Sequence, residues 1–198
     1  WTVRPVFPNL YTGAIWLPFC WDNDRVFVTH STDDGLTWAE PTEITKDVKP
    51  ADWTWYATGP VHGIQLESGR LLIPCDHRIK GDKNQYSHAI YSDDHGETWK
   101  LGGLLPEKTD ECTAVELEDG RVYLNMRSYH GKNRRAIAWS EDGGETWSDI
   151  QFDQALVEPV CQASALRATS SAGGGKSRIL FSNPANPERV QMTLRVSY

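Results

Sequence analysis

The chain has 198 residues and a formal net charge of −7, a balance that argues against general nucleic-acid binding while leaving room for a local basic site. No apolar run is long enough to cross a bilayer, and nine Trp and eleven Pro with few helix-period stretches favour strands and structured loops. Cys20, Cys75, Cys112 and Cys161 show neither CxxC pairing nor metal-ligand spacing, so they are expected to be free buried thiols, with no metal, disulfide framework or cofactor implied.

In chain order, short apolar strands follow a turn residue at Gly13-Ala-Ile-Trp-Leu17, Gly69-Arg-Leu-Leu-Ile73, Gly120-Arg-Val-Tyr-Leu124 and Ser177-Arg-Ile-Leu-Phe181. After the first three comes a second alternating strand that runs into one repeated block, SxDxGxTW, at Ser31 to Trp38, Ser92 to Trp99 and Ser140 to Trp147. The block has hairpin chemistry. Ser and Asp side chains can hold backbone N–H groups, and Gly35, Gly96 and Gly144 supply a position free to take positive φ. The trailing Trp is expected to anchor the start of the next strand, and Asp33, Asp94 and Asp142, three identical carboxylates in three identical turns, are read as structural.

The fourth unit predicts a block serine about 20 residues after Ser177, and Ser197 stands there behind Thr193 to Val196. From 31 to 92, 92 to 140 and 140 to 197 the spacings are 61, 48 and 57 residues, which fits four antiparallel strands per unit, the size of a β-propeller blade. The expectation is an all-β chain, one partial propeller domain of about three and a half blades, with its fourth block cut at 197–198.

The repeated block is the Asp box, and by it the chain resembles a sialidase (exo-α-neuraminidase). The stronger resemblance lies between the boxes, in Gly59-Pro-Val-His-Gly-Ile-Gln-Leu66, Ser68-Gly-Arg-Leu-Leu-Ile-Pro74, Tyr91 to Trp99, Asp110-Glu-Cys112 and Leu124-Asn-Met-Arg-Ser128. It implies a six-bladed propeller with its site at one end of the central channel. There an arginine triad grips the carboxylate of sialic acid, a Tyr paired with a Glu attacks the anomeric carbon, and an Asp is the acid/base. The substrate's own carboxylate repels an anionic nucleophile, which favours a neutral phenol with a neighbouring base.

The resemblance carries over to Glu111 as the glutamate paired with the tyrosine, Arg127 as the second triad arginine and Arg189 as the third, with Arg195 as the competing choice. Asp76 and His77 match positions near the glycerol or N-acyl side of the sugar, although Asp76 replaces an aromatic of the animal enzymes, and Gln162 resembles a polar substrate contact. A Phe/Tyr-Arg-Ile-Pro motif bearing the first arginine is absent, Arg4 being a partial lookalike, and Asp22 and Asp24 are poor matches to the acid. The tyrosine is expected beyond Tyr198, so the isolated chain is expected to be inactive.

Blander readings apply elsewhere. Glu116 and Glu118 look like the solvated face of a strand, Arg134 and Arg135 like exposed charges in a hairpin loop, and His62 and His77 like satisfied hydrogen-bonders. Trp53 to Tyr56 suits blade packing as well as a sugar rim. The expected partners are sialylated glycans; the alternative is a non-catalytic Asp-box propeller that binds a glycan or a protein. A glycosidase for another sugar would have Arg127 and Arg189 pointing to different places.

Overall fold

The computed structural model describes residues 2–3, 7–169 and 176–198; Arg4 lies outside them. Four antiparallel sheets follow one another along the chain. The first holds β1 (Thr2–Val3), β2 (Phe7–Pro8), β3 (Ile15–Trp21), β4 (Arg25–Ser31) and β5 (Thr42–Glu43), followed by a single helical turn, α1 (Thr45–Val48). The second holds β6 (Trp53–Thr58), β7 (Ile64–Gln65), β8 (Leu71–Ile79), β9 (Tyr86–Ser92) and β10 (Lys100–Glu107). The third holds β11 (Thr109–Glu116), β12 (Val122–Ser128), β13 (Arg134–Ser140) and β14 (Gln151–Val157), and the fourth holds β15 (Ser164–Thr169), β16 (Arg178–Pro184) and β17 (Met192–Ser197). The longer strands pair in chain order, with the two-residue β2 and β7 added to β3 and β8 beside β1 and β6, so each sheet is a propeller blade built as a meander.

The repeat read from the sequence is a repeat in register. Ser31 pairs with Ile15, Ser92 with Leu71, Ser140 with Val122 and Ser197 with Ile179. In each blade the partner stands two residues after the turn residue at 13, 69, 120 or 177.

Each box closes on its own side chains. In the second, Ser92 Oγ donates to Asp94 Oδ1 at 2.8 Å and accepts from Gly96 N at 2.8 Å. Asp94 in turn accepts from Thr98 N at 2.9 Å and Thr98 Oγ1 at 2.6 Å. Gly96 takes φ +100°, and a Cβ there would lie 2.1 Å from the Trp16 ring, so both conformation and contact demand glycine. These bonds lower the box carboxyls. Hydrogen bonds from Thr37 and then Ser31 hold Asp33 down to about 2. At Asp142 burial pushes upward, but Thr146 and Ser140 prevail and also hold it at about 2.

The trailing tryptophans behave unequally. Trp99 is 4% exposed, whereas Trp38 packs over Gly35 and is 40% exposed. The expectation of a common anchor fails for Trp38, which precedes a two-residue outer strand with little to cover it.

Three apolar seams hold the blades together. Trp16, Val26 and Val28 meet Tyr56, Leu71, Ile73 and Ile90 between the first two. Leu72, Ala89 and Tyr91 meet Ala114, Leu124 and Met126 between the second and third, and Val115 and Leu156 meet Ala165 and Phe181 between the third and fourth. Strand β8 serves two seams by its two-residue period: Leu71, Ile73 and Cys75 face the first blade and Leu72 the third. Trp53 and Tyr56 therefore belong to blade packing and are buried. On the box face Arg70 fastens the second blade to the third. It donates to Asp93 at 2.6 Å, to Glu145 at 2.8 Å and to the carbonyl oxygens of Asp142 and Gly143 at 2.9 and 3.2 Å, and lies over the Tyr91 ring.

In the first seam His77 and His88 are both fully buried, with their Nδ1 atoms 3.0 Å apart and the His77 ring stacked on Trp53 at 3.4 Å. Burial lowers His77 to about 3 and holds His88 well below its ordinary value. The unfolded chain binds these protons first, near pH 6.5. Their neutrality therefore contributes stability above that value that is lost as pH falls towards 3.

Denaturant unfolding between pH 7 and 5 should show stability falling with a slope approaching about 1.4 kcal/mol per pH unit for each such histidine. The His88→Gln variant should have a shallower slope, and an unchanged slope would refute the assignment. Asp94→Ala, which deletes three side-chain hydrogen bonds in the box, should cost about 1–3 kcal/mol in the same measurement.

Candidate functional site

The boxes lie at one end of the blades, and the candidate residues lie at the other. In the third blade Ser140 pairs with Val122 at the box end, while Thr109 pairs with Ser128 at the opposite end. The pairing there is irregular. Three residue steps along β11, from Thr109 to Cys112, oppose two along β12, from Ser128 to Met126, so β11 carries a bulge at Asp110–Glu111. A regular strand sends successive side chains to opposite faces; the extra residue brings both carboxylates to Arg127.

Arg127 Nη1 donates to Glu111 Oε2 at 2.9 Å, and its Nε lies 3.6 Å from Asp110 Oδ2. The guanidinium sits over the Tyr129 ring, 4.9 Å from its centroid. Side-chain exposures are 19% for Arg127, 26% for Glu111 and 7% for Asp110, so the first two reach the surface and Asp110 lies behind them. Burial pushes the Asp110 carboxyl up, Arg127 opposes this, and Glu111 adds to it. Among the described residues Arg127 Nε, buried on the Asp110 side, has no hydrogen-bond acceptor, and Nη2 makes no hydrogen bond, so Nη2 is the donor left for an anion.

Arg189 follows β16, is exposed and takes φ +53°. Its Nη2 donates to the carbonyl oxygen of Val160 at 2.9 Å. Val160 belongs to the crossover 158–163 between the third and fourth blades, and Glu158 of that crossover accepts the backbone N–H of Ser128, next to Arg127, at 3.0 Å. Arg189 and the strand end that carries Arg127 are thus both held by one crossover. Gln162 is exposed on the same segment. Arg195 instead donates to Asn183 Oδ1 at 3.0 Å from mid-strand β17 and lines the groove between the third and fourth blades.

Asp76 is placed differently from its expected role. It is fully buried, on the β8 parity of Leu72, which faces the third blade, so it lies behind the site rather than opening onto it. His77, one residue on, faces the other seam.

Arg135 overturns the expectation of an exposed hairpin charge, and the sequence reading passed over Glu158. Both are fully buried. Arg135 donates to Glu158 Oε2 at 2.9 Å, to Asn125 Oδ1 at 2.6 Å and to the carbonyl oxygen of Cys161 at 2.6 Å. The signal was available in alternation: Arg135 continues the parity of Ile137, yet belongs to a strand covered on both faces, where a charge has to bring its partner. Glu116 is also less solvated than its pattern suggested, since its carboxylate accepts the N–H of Glu67 at 3.0 Å. Three cysteines are buried and Cys161 is half-buried; all four are free. Among the described residues no cluster of His, Cys, Asp or Glu could hold a metal, and no helix is long and apolar enough to cross a membrane.

Residues 7–198 match the BNR repeat-like domain family, and the chain belongs to it. Among its relatives, the sialidase of Bacteroides fragilis is 34% identical over 176 residues, which are 87% of this chain and 32% of that protein. The sialidase of Micromonospora viridifaciens is 38% identical over 180 residues, 86% of this chain and 27% of that protein. Of solved structures, a Hadza microbial sialidase superposes with a TM-score of 0.87 at 31% identity, covering 99% of this chain and 42% of that one. The chain spans about a third of the length of the curated relatives it matches.

Glu158→Gln should destabilise the fold by about 3–5 kcal/mol, the cost of leaving one member of a buried pair uncompensated. Chemical denaturation measures this, and a loss below about 1 kcal/mol would place the pair in solvent.

Proposed function

We propose that the protein carrying this chain is a retaining exo-α-sialidase that releases terminal sialic acid from sialylated glycans. The observation that carries the reading is the bulge that sets Glu111 against Arg127 at the end of the blades away from the boxes. The names of the relatives support it.

Arg127 and Arg189 would bind the sugar carboxylate, since planar guanidinium forks form bidentate, charge-assisted hydrogen bonds that lysine does not reproduce. Glu111, already within 2.9 Å of Arg127, would take the proton of a tyrosine phenol. That oxygen would then bond to the anomeric carbon as the glycosidic C–O bond breaks, an aspartic acid would protonate the departing oxygen, and water would release the sugar in a second displacement. The family pattern puts the tyrosine and the acid outside the matched positions of this chain. Asp76 lies buried behind the site, and Gln162, exposed on the crossover, would supply a polar contact.

Hydrolysis of a fluorogenic sialoside by the full-length protein tests this. Arg127→Ala should lower kcat/KM by about 10²- to 10³-fold, and Glu111→Gln by about 10²- to 10⁴-fold. A protein that cleaves no sialoside, yet loses sialyllactose binding on Arg127→Ala, would be a glycan-binding propeller and the hydrolase reading would be wrong.

A further inference from the structure

The guanidinium of Arg127 is held along two of its edges and against one face. Nη1 donates to Glu111 at 2.9 Å, and Nε lies 3.6 Å from Asp110. The face lies over the Tyr129 ring, with 4.9 Å from guanidinium carbon to ring centroid. Tyr129 directly follows β12, two residues after Arg127, so extended backbone puts both side chains on one side of the chain. Its N–H donates to the carbonyl oxygen of Lys108 at 2.8 Å, which ties the ring's backbone to the turn ahead of the β11 bulge. The residue is 41% exposed and belongs to none of the three apolar seams.

A guanidinium offers its hydrogen bonds only in its own plane. One in-plane bond to Glu111 leaves that plane free to swing, and a swing takes Nη2 away from an arriving carboxylate. A ring against the face removes this freedom without consuming an N–H, because its negative π face attracts the cation. Glu111 therefore fixes where the guanidinium lies, and Tyr129 fixes how it is turned. Nη2, which makes no hydrogen bond among the described residues, is the donor whose direction is set.

We propose that Tyr129 is a positioning residue for anion binding, its ring holding the Arg127 guanidinium in the plane that presents Nη2 to the carboxylate of the ligand. The ring face does this rather than the hydroxyl. Orienting the arginine in advance lowers the ordering cost of binding, so the contribution appears in affinity for the carboxylate and not in the chemical step. The inference rests on the reading of Arg127 as the carboxylate grip. It adds to that reading a residue just beyond Leu124-Asn-Met-Arg-Ser128, the segment that carries the resemblance.

Calorimetry of free N-acetylneuraminic acid binding to the full-length protein should show Tyr129→Ala and Tyr129→Leu each weakening affinity about 3- to 30-fold, with Tyr129→Phe recovering all but about twofold. The leucine variant keeps apolar bulk without a π face, so it separates stacking from filling. On an Arg127→Ala background Tyr129→Ala should cost nothing further, since the coupling is lost with either partner. In sialoside hydrolysis the loss should fall on KM, with kcat within about twofold. A fall in kcat at unchanged KM, or equal losses in the phenylalanine and alanine variants, would overturn the positioning role. Unchanged affinity in the alanine and leucine variants, while Arg127→Ala weakens binding, overturns this inference alone and leaves the sialidase reading in place. Binding that Arg127→Ala does not weaken overturns both. Tyr129 variants that behave as stated in a protein that cleaves no sialoside would uphold the positioning role and reject the sialidase reading.

Discussion

The structure depends on the covering of the middle blades on both faces. A sheet with one wet face can put its polar residues there, but β8 runs between two apolar seams and is buried from Leu71 to His77 without interruption. A polar side chain in such a strand has no water to turn to, and burying it unpartnered costs several times what an ordinary hydrogen bond contributes. Buried polar groups in these seams therefore meet one another: His77 with His88, Ser87 with the backbone of Asp110, Arg135 with Glu158. The second and third pairs each join two elements that the candidate site needs in register.

The site inherits its shape from these pairings. Ser87 comes from the second blade and Asp110 from the third, and the Ser87 hydroxyl, donating to the Asp110 carbonyl oxygen, fixes the bulge of β11 against its neighbour blade. Arg135 and Glu158 fix the crossover to the fourth blade, and Glu158 holds the backbone of Ser128 beside Arg127. A side chain on a surface loop could reach the same point, but with many rotamers to lose on binding. Arg127 and Glu111 stand at strand ends whose backbones are already held, which lowers the ordering cost of gripping a ligand.

The blades were legible because their signal is metrical. A five-residue consensus at regular intervals gave the turns, the strands before them and, through Ser177 and Ser197, the fourth unit, and the register repeats as the spacing does. Glu111 and Arg127 were legible through resemblance, since alternation alone predicts that Asp110 and Glu111 face opposite ways; the bulge that defeats this prediction has no local signature in Asp-Glu-Cys. Arg135 was misjudged because two adjacent arginines after Lys132 and Asn133 look like a solvated turn. Local composition reports the hairpin, while burial is decided by the neighbouring blade and the partner at Glu158, 23 residues away. Asp76 could have been read further from β8 parity, which places it with Leu72 rather than with His77.

A chain with formal charge −7 can still present a cationic point to an anion, and comparison of two arginines shows how. Arg70, at the box end, spends its three nitrogens on Asp93, Glu145 and two backbone carbonyl oxygens. Its charge is consumed in joining blades. Arg127, at the other end, donates to Glu111 through Nη1, has its Nε buried towards Asp110, and among the described residues makes no hydrogen bond from Nη2. Exposure hardly separates the two, at 14% and 19%; what separates them is donor capacity left unspent. Sequence counts both as one positive charge, whereas a ligand carboxylate arriving in solution meets only the second as a partner, because the first has no hydrogen bond left to offer without giving up one already made.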